Sequence, residues 1–328
     1  MTKHIFLVSP RGFCAGVRRA LATVEYCLEH FKDQKIYVYH DIVHNTHVVD
    51  GFKKRGVIFV EDIALIPEGS LVIFSAHGVA KNIVNQACQR NLKIIDATCP
   101  LVTKIHHKAE ILTAKNCAVI LIGHRNHPEV IGTLGQVEGK YCNNIFLIEN
   151  VNDANQFDAE LVADFDCVSC LTQTTFSVDK INNILQILKQ RIPNLEANDD
   201  ICYATTNRQE AVKILAEKCD LVFVVGSEHS SNSKRLCELA NECGAQSFLI
   251  DDFEHLINNF PNLTQLLDSS ENIGITAGAS APEFLVEELI QKLKNIIEFS
   301  CNKKISIEKL NCDGERHNFS LPKGLKIS

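Results

Sequence analysis

Short apolar runs alternate with helical patterns along most of this 328-residue chain. Ten runs rich in β-branched and other apolar residues predict strands, and they cover residues 5–8, 36–39, 71–75, 94–96, 119–123, 145–148, 167–171, 221–226, 247–250 and 272–276. Several are apolar at every position, which is typical of strands buried on both faces of a parallel sheet. The pattern therefore predicts an α/β protein with mainly parallel sheets.

The segments between these strands carry apolar residues at helical spacing. The clearest helices are expected over residues 15–30, 181–188, 207–219 and 284–297. The periodicity fades from Ser300 onward, so we expect the C-terminal tail to drape over another part of the molecule.

The composition argues against several classes of protein. The chain has 40 acidic and 33 basic residues, a formal net charge of −7, and no run of Lys and Arg. It therefore lacks the basic surface expected of a nucleic-acid-binding protein. The first thirteen residues contain no signal-peptide core, and the longest apolar runs are too short to span a bilayer. We expect a cytoplasmic protein that binds neither nucleic acid nor membrane.

The fourteen cysteines are the unusual part of the composition. Without a secretory signal, disulfides are unexpected, and metal or redox chemistry better explains any functional cysteine. Cys14, Cys99 and Cys202 share one context, because each lies in a turn predicted to open a helix, where a thiolate is stabilised. Cys202 lies just before a plausible capping box at residues 206–209. The alternative for each of the three is a buried cysteine in a turn.

Polar residues gather directly after the predicted strands, where open α/β sheets bind ligands. The motifs that contain them are PRGFCAGV, VHN, FSAHGV, DATCPLVTK, HPEV, TQTT, DDICYATTNRQEAV, SSNS and TAGASAP. Together, in this order from Pro10 to Pro282, they resemble the hydroxymethylbutenyl diphosphate reductase (LytB/IspH) family. The resemblance implies three related α/β domains with mainly parallel sheets arranged around a central iron–sulfur cluster.

Each domain is then expected to supply one cysteine and several polar strand-end residues to a shared centre. The expected domains are residues 1–98 with Cys14, His44 and His77, residues 99–199 with Cys99, His127, Glu129 and Thr174, and residues 200–328 with Cys202, Ser230, Asn232, Ser280 and the C-terminal tail.

The resemblance implies that Cys14, Cys99 and Cys202 hold one [4Fe–4S] cluster per chain. Three thiolates leave one open iron without a protein ligand, and such an iron can bind a substrate oxygen as a Lewis acid. The other cysteines are expected to fill space in helices, the core or the tail. Cys167 and Cys170 belong with them, because their spacing inside a predicted strand points the two side chains to opposite faces.

The family's substrate is an allylic alcohol that carries a diphosphate, so an anion pocket is expected beside the open iron. Hydroxyl, amide and imidazole donors near strand ends and helix starts suit such a pocket. The expected substrate-binding residues are His44, His77, His127, Thr174, Ser230, Ser231, Asn232 and Ser280. The alternative for each histidine is a structural hydrogen bond at a strand end.

The expected catalytic residues are Glu129, Thr174 and His127. Glu129 follows His127 and Pro128 at a strand end, and a carboxylic acid among buried polar partners can donate a proton. Thr174 is expected to bind the substrate hydroxyl and relay that proton. The alternatives are a first-turn acid that complements the helix dipole for Glu129 and a turn hydroxyl for Thr174.

The resemblance thus implies an iron–sulfur reductase that converts (E)-4-hydroxy-3-methylbut-2-enyl diphosphate into isopentenyl and dimethylallyl diphosphates, the last step of the non-mevalonate isoprenoid pathway. Ferredoxin or flavodoxin is the expected electron donor. A zinc hydrolase of phosphate esters is the rival enzyme, and a redox-sensing iron–sulfur protein is the rival without catalysis. The sequence has no Walker motif and no G-x-G-x-x-G, so no nucleotide is expected.

Overall fold

The structure is a computed structural model that describes residues 2–197, 200–312, 315, 317–323 and 325. Its strands, in chain order, are β1 (Thr2–Ser9), β2 (Ile36–Tyr39), β3 (Ile58–Val60), β4 (Leu71–Phe74), β5 (Lys93–Asp96), β6 (Cys117–Ile122), β7 (Ile145–Ile148), β8 (Cys167–Thr172), β9 (Leu195–Ala197), β10 (Leu221–Val225), β11 (Gln246–Ile250), β12 (Asn272–Ala277) and β13 (Lys304–Asn311). The helices are α1 (Ala15–His30), α2 (Thr46–Lys54), α3 (Lys81–Gln89), α4 (Pro100–Ala114), α5 (Pro128–Leu134), α6 (Val151–Gln156), α7 (Val178–Arg191), α8 (Tyr203–Ala216), α9 (Ser231–Glu242), α10 (Phe253–Asn259), α11 (Leu263–Ser269) and α12 (Glu283–Phe299).

These strands form three sheets, and every strand pairing among the described residues is parallel. Their orders are β3-β2-β4-β5, β7-β6-β8-β9 and β11-β10-β12-β1-β13. Strands β4, β6 and β10 are buried at every position, as expected for strands covered on both faces. The predictions of the ten strands and of an α/β fold with parallel sheets are confirmed.

The chain divides into two compact units. Unit 1 comprises residues 1–15, 44–48 and 203–317 and contains the five-stranded sheet. Unit 2 comprises residues 16–43, 49–202 and 318–328 and contains both four-stranded sheets.

Strand β1 departs from the predicted domain division. It pairs with β12 and β13, so it belongs to the sheet of the expected third domain and not to that of residues 1–98. Chain order favours neighbouring strands as partners but does not dictate them, so the sequence could not show this pairing. The other domain boundaries, and the expected position of an iron–sulfur cluster among the sheets, stay predictions.

The tail forms a strand, which the sequence did not indicate. Strand β13 runs parallel to β1, from Thr2 beside Lys304 to Ser9 beside Asn311. It lies at the sheet edge, and most of its side chains are exposed. The apolar pattern is weak because such an edge strand buries little surface, and exposed charged residues protect the edge from pairing with other chains.

Two cysteines expected to be space-filling lie opposite each other in the sheet. The register of β6 and β8 places Cys117 beside Cys167, with 4.6 Å between their Cα atoms, and the structure joins them by a disulfide. The expectation of no disulfide was wrong here, because strand register cannot be deduced from two distant positions in the sequence. Cys170 is buried in the core, as expected.

Helix α8 begins earlier than the sequence indicated. It starts at Tyr203, so the proposed capping box at residues 206–209 lies within the helix and not at its start. No capping side chain precedes Tyr203 closely in the sequence, since Ile201 and Cys202 stand there.

Among the described helices, none combines the length and the apolar character needed to cross a membrane.

Candidate functional site

The predicted site residues fall into two groups, one in each unit. The residues of both groups lie in the loops after strands or at the starts of helices. The group in unit 1 comprises Cys14, His44, Ser230, Ser231, Asn232 and Ser280. The group in unit 2 comprises His77, Cys99, His127, Glu129, Thr174 and Cys202.

The three predicted cluster cysteines share a structural position. Cys14 directly precedes α1, Cys99 is the N-cap residue of α4, and Cys202 directly precedes α8. All three are half-buried. The shared context predicted from the sequence is therefore confirmed. The exposed N–H groups at a helix start carry partial positive charge, which favours the thiolate form that binds metal.

Backbone hydrogen bonds fix the loop that carries Cys14 in unit 1. The N–H of Gly12 donates to the Ala277 carbonyl at 3.2 Å, and the N–H of Cys14 donates to the Ala279 carbonyl at 3.1 Å. Gly12 has a φ of +65°, and an added Cβ would lie 3.3 Å from the Ala281 carbonyl oxygen. The loop therefore requires glycine at this position.

The cysteines of unit 2 are anchored in a similar way. The N–H of Cys99 donates to the Ala76 carbonyl at 2.9 Å, and the N–H of Cys202 donates to the Thr174 carbonyl at 3.2 Å. The buried carboxylate of Asp200 forms an ion pair with Lys108 of α4. This pair ties the segment before Cys202 to the helix that Cys99 caps.

The start of α9 carries several polar side chains in unit 1. The Ser230 hydroxyl caps the helix and accepts a hydrogen bond from the Ser233 N–H at 3.2 Å. The Asn232 side-chain oxygen accepts from the Ala279 N–H at 2.9 Å. Its Nδ2 is buried and has no hydrogen-bond partner among the described residues. Buried donors are normally satisfied, so this N–H₂ group suits an oxygen of a bound anion.

Two glycines let α9 approach the strand ends. An added Cβ at Gly226, after β10, or at Gly278, after β12, would overlap the side chain of Ser233. The Ser280 hydroxyl donates to the His44 carbonyl at 3.0 Å and so joins residues 44–48 to the same edge of the sheet. The unit 1 group is therefore a compact, donor-rich surface at a helix start, which is a favourable setting for an anion.

A buried carboxyl group is the centre of the unit 2 group. Glu129 lies in the first turn of α5 and is only 2 % exposed. The Thr174 N–H donates to one carboxylate oxygen at 2.7 Å, and the Thr174 hydroxyl donates to the other at 2.9 Å. Burial raises the pKa of Glu129 to about 7, although both hydrogen bonds from Thr174 act in the opposite direction. Near neutral pH this group can therefore both hold and release a proton.

Two histidines of unit 2 lie near the start of α5. His127 caps α5, because its Nδ1 accepts a hydrogen bond from the Glu129 N–H at 3.2 Å. Its Nδ1 is thus an acceptor, and Nε2 carries the proton in the neutral ring. The rings of His77 and His127 meet edge to face with their centroids 5.9 Å apart.

His106 is a buried histidine that was not among the expected site residues. An added Cβ at Gly78 would lie 2.6 Å from its Cε1, and one at Gly132 would lie 3.2 Å from its Nε2. Its ring therefore fills the space between the loop after His77 and helix α5. Burial lowers the pKa of His106 to about 4, so the ring is neutral at neutral pH. In the sequence, Gly78 and Gly132 are the signal for this buried ring, because a side chain at either position would meet it. They can be recognised as such a signal once the contact is known.

Among the residues that the structure describes, no group of three or more His, Cys, Asp or Glu side chains could hold a metal ion.

Known proteins resemble this chain over nearly its whole length. The LytB protein family matches residues 5–294. A relative from Actinobacillus succinogenes, named 4-hydroxy-3-methylbut-2-enyl diphosphate reductase, is 46 % identical and covers 99 % of this chain and 98 % of its own. A relative of the same name from Haemophilus influenzae is 47 % identical over 98 % of each chain. The solved structure of the E-1-hydroxy-2-methyl-but-2-enyl-4-diphosphate reductase from Plasmodium falciparum is 37 % identical, with a TM-score of 0.88 over 99 % of this chain and 97 % of that chain.

The raised pKa of Glu129 predicts a pH-dependent stability. Its ordinary pKa of 4.5 rises to about 7 on folding, so the folded state holds the proton more tightly. The resulting stabilisation is complete below pH 4.5 and is lost as the pH rises through 7. Between pH 5 and pH 8 the free energy of unfolding should therefore fall by on the order of 2 kcal/mol relative to Glu129→Gln, which cannot ionise.

Urea denaturation of both proteins at the two pH values measures this difference. Glu160→Gln, which changes an exposed carboxyl group, is the matched control and should follow the unsubstituted protein. If Glu129→Gln has the same pH dependence as the unsubstituted protein, the raised pKa is wrong.

Proposed function

The chain belongs to the LytB protein family, and we propose that it reduces (E)-4-hydroxy-3-methylbut-2-enyl diphosphate to isopentenyl diphosphate and dimethylallyl diphosphate. The relatives named as 4-hydroxy-3-methylbut-2-enyl diphosphate reductases support this substrate, since they match nearly the whole chain. The observation that carries the proposal is the buried Glu129 carboxyl group, which Thr174 holds and whose pKa is raised to about 7. Reductive removal of a hydroxyl group needs such a proton source.

The reaction defines what the chain must provide. The C–O bond of the allylic alcohol breaks, the oxygen leaves as water, and a C–H bond forms. This change consumes two electrons and two protons. The protein must therefore bind a diphosphate, deliver a proton to the leaving oxygen, and accept electrons from a donor. We assign ferredoxin or flavodoxin as the electron donor.

We assign Cys14, Cys99 and Cys202 as the ligands of one [4Fe–4S] cluster per chain. When bound, such a cluster supplies electrons one at a time, and its iron without a protein ligand is a Lewis acid. The chemistry of these residues fits the group, because thiolates are the usual cluster ligands and all three cysteines directly precede a helix.

Diphosphate binding is assigned to donors in both groups of residues. The support is strongest at the start of α9, where the buried Asn232 Nδ2 and the helix N–H groups suit anionic oxygens. The full set is His44, His77, His127, Ser230, Ser231, Asn232 and Ser280, while Thr174 is assigned to bind the substrate hydroxyl group. A redox sensor has no use for such a set of anion-binding donors, so the reductase is the better proposal.

Proton delivery is assigned to Glu129 through Thr174. A protonated Glu129 donates to the Thr174 hydroxyl oxygen, across the 2.9 Å contact that joins them. The Thr174 hydroxyl can then pass its own proton to the leaving oxygen, so one proton moves at each step. His127 supports this step through its Nδ1, which accepts from the Glu129 N–H and so orients the start of α5.

The anion pocket can be tested with inorganic diphosphate as the probe. Asn232→Ala removes one buried donor and should weaken binding by about ten- to a hundredfold, the usual effect of losing a hydrogen bond to a charged group. Titration calorimetry measures the change, and iron analysis shows that the metal content is equal. Asn259→Ala, at an exposed position in the same unit, is the control and should bind normally. Unchanged affinity in Asn232→Ala would remove it from the pocket.

The proposed reaction can be tested by turnover of Glu129→Gln. The amide has nearly the same shape but no proton to deliver, so turnover with a chemical reductant should fall by roughly a hundredfold or more while substrate binding persists. The activity of the unsubstituted protein should also decline as the pH rises past 7, where Glu129 loses its proton. Glu160→Gln should be fully active. Normal turnover in Glu129→Gln would show that another group is the acid.

A further inference from the structure

The C-terminal tail contacts the rest of unit 1 as an edge strand and through charged side chains. It lies beyond residues 5–294, the part that matches the family. In unit 1, β13 lies beside β1, and the N–H of Cys312 donates to the Ser9 carbonyl at 2.9 Å. The tail therefore runs parallel to β1 as far as Ser9, where the loop that leads to Cys14 begins.

A buried arginine connects this loop to the tail. The Arg208 side chain, on α8, is 1 % exposed. Its Nη2 donates to the Gly12 carbonyl at 2.8 Å, and its Nη1 donates to the Ala204 carbonyl at 2.8 Å. Both nitrogens also bond the Glu315 carboxylate, with 3.3 Å between Nη2 and Oε2. Arg208 thus joins three segments that are distant in the sequence.

The charge of Arg208 makes its position depend on Glu315. A buried guanidinium is unfavourable unless a carboxylate compensates it, and loss of one partner leaves an uncompensated charge. The Glu315 side chain is itself only 7 % exposed, so water cannot readily replace it. A second contact holds the tail nearby, because the rings of His317 and Tyr203 lie with their centroids 4.3 Å apart.

The bond to Gly12 acts on Cys14 through a short, well-anchored loop. The N–H of Gly12 is bonded to Ala277, its carbonyl is bonded to Arg208, and the N–H of Cys14 is bonded to Ala279. Release of Arg208 removes the hydrogen bond to the Gly12 carbonyl, and Gly12 is a glycine with a positive φ. We expect the orientation of the Cys14 thiol, two residues further on, to change as a result.

We propose that Glu315 is a positioning residue for Cys14, which it controls by fixing Arg208 against the Gly12 carbonyl. The inference rests on the proposed function only in giving Cys14 the role of a cluster ligand. It assigns the tail a specific task, which is to hold one thiol in place. Glu315 itself has no contact with the reacting atoms in this account.

The test compares thiol reactivity in the full-length chain after its metal is removed. Glu315→Gln keeps the shape of the side chain but removes its charge. Iodoacetamide labelling, followed by mass spectrometry of each cysteine peptide, should show Cys14 reacting about tenfold faster, as expected when a charged hydrogen bond is weakened. Cys99 and Cys202, in unit 2, should react at unchanged rates. Glu308→Gln, at an exposed position on β13, is the matched control and should leave all rates unchanged.

The outcomes separate positioning from general stability. Unchanged Cys14 labelling in Glu315→Gln would overturn the proposal, and so would an equal increase at all three cysteines, which would indicate a loosened fold. Glu315→Asp, which keeps the charge but shortens the side chain, should give a smaller increase at Cys14 alone, and it provides the test if Glu315→Gln does not fold. The labelling experiment does not need a bound cluster. If the native protein contains no iron, the proposed function is contradicted, but the labelling rate of Cys14 still tests the role of Glu315.

Discussion

Parallel pairing of every described strand determines where chemistry can occur in this chain. In a parallel sheet all carboxyl ends lie at one edge, and the following helices begin there with unpaired N–H groups. Cys14, Cys99, Cys202 and Ser230 occupy such helix starts. The same backbone geometry can therefore stabilise a thiolate at one strand end and bind an anion at another.

Burial then adjusts the charges of the side chains at these edges. It raises the pKa of Glu129 to about 7 and lowers that of His106 to about 4, because in both cases the charged form is disfavoured. Unit 2 therefore contains the uncharged ring of His106 and the carboxyl group of Glu129, which titrates near neutral pH. Two hydrogen bonds from Thr174 keep that carboxyl group in one orientation.

Much of this could be predicted because the relevant signals are local. Apolar runs located the strands, and the residues next to them indicated that Cys14, Cys99 and Glu129 lie at the starts of the following helices. The features that were missed depend on which distant segments meet. The Cys117–Cys167 disulfide depends on the register between β6 and β8. The pairing of β1 with β12 depends on the order of strands in the sheet. The packing of His106 depends on two glycines that lie on different elements. Strand β13 was missed for another reason, since an exposed edge strand has little apolar pattern.

The central claim is that three specific cysteines bind an iron–sulfur cluster that drives the reduction. Iron and acid-labile sulfide should be measured in protein purified without oxygen, together with Cys14→Ser, Cys99→Ser and Cys202→Ser. We expect about four iron and four sulfide per chain in the unsubstituted protein and a marked loss in each of these variants. Cys88→Ser, at an exposed position, should retain the full content. Full iron and sulfide in any of the three variants, or none in the unsubstituted protein, would contradict the claim.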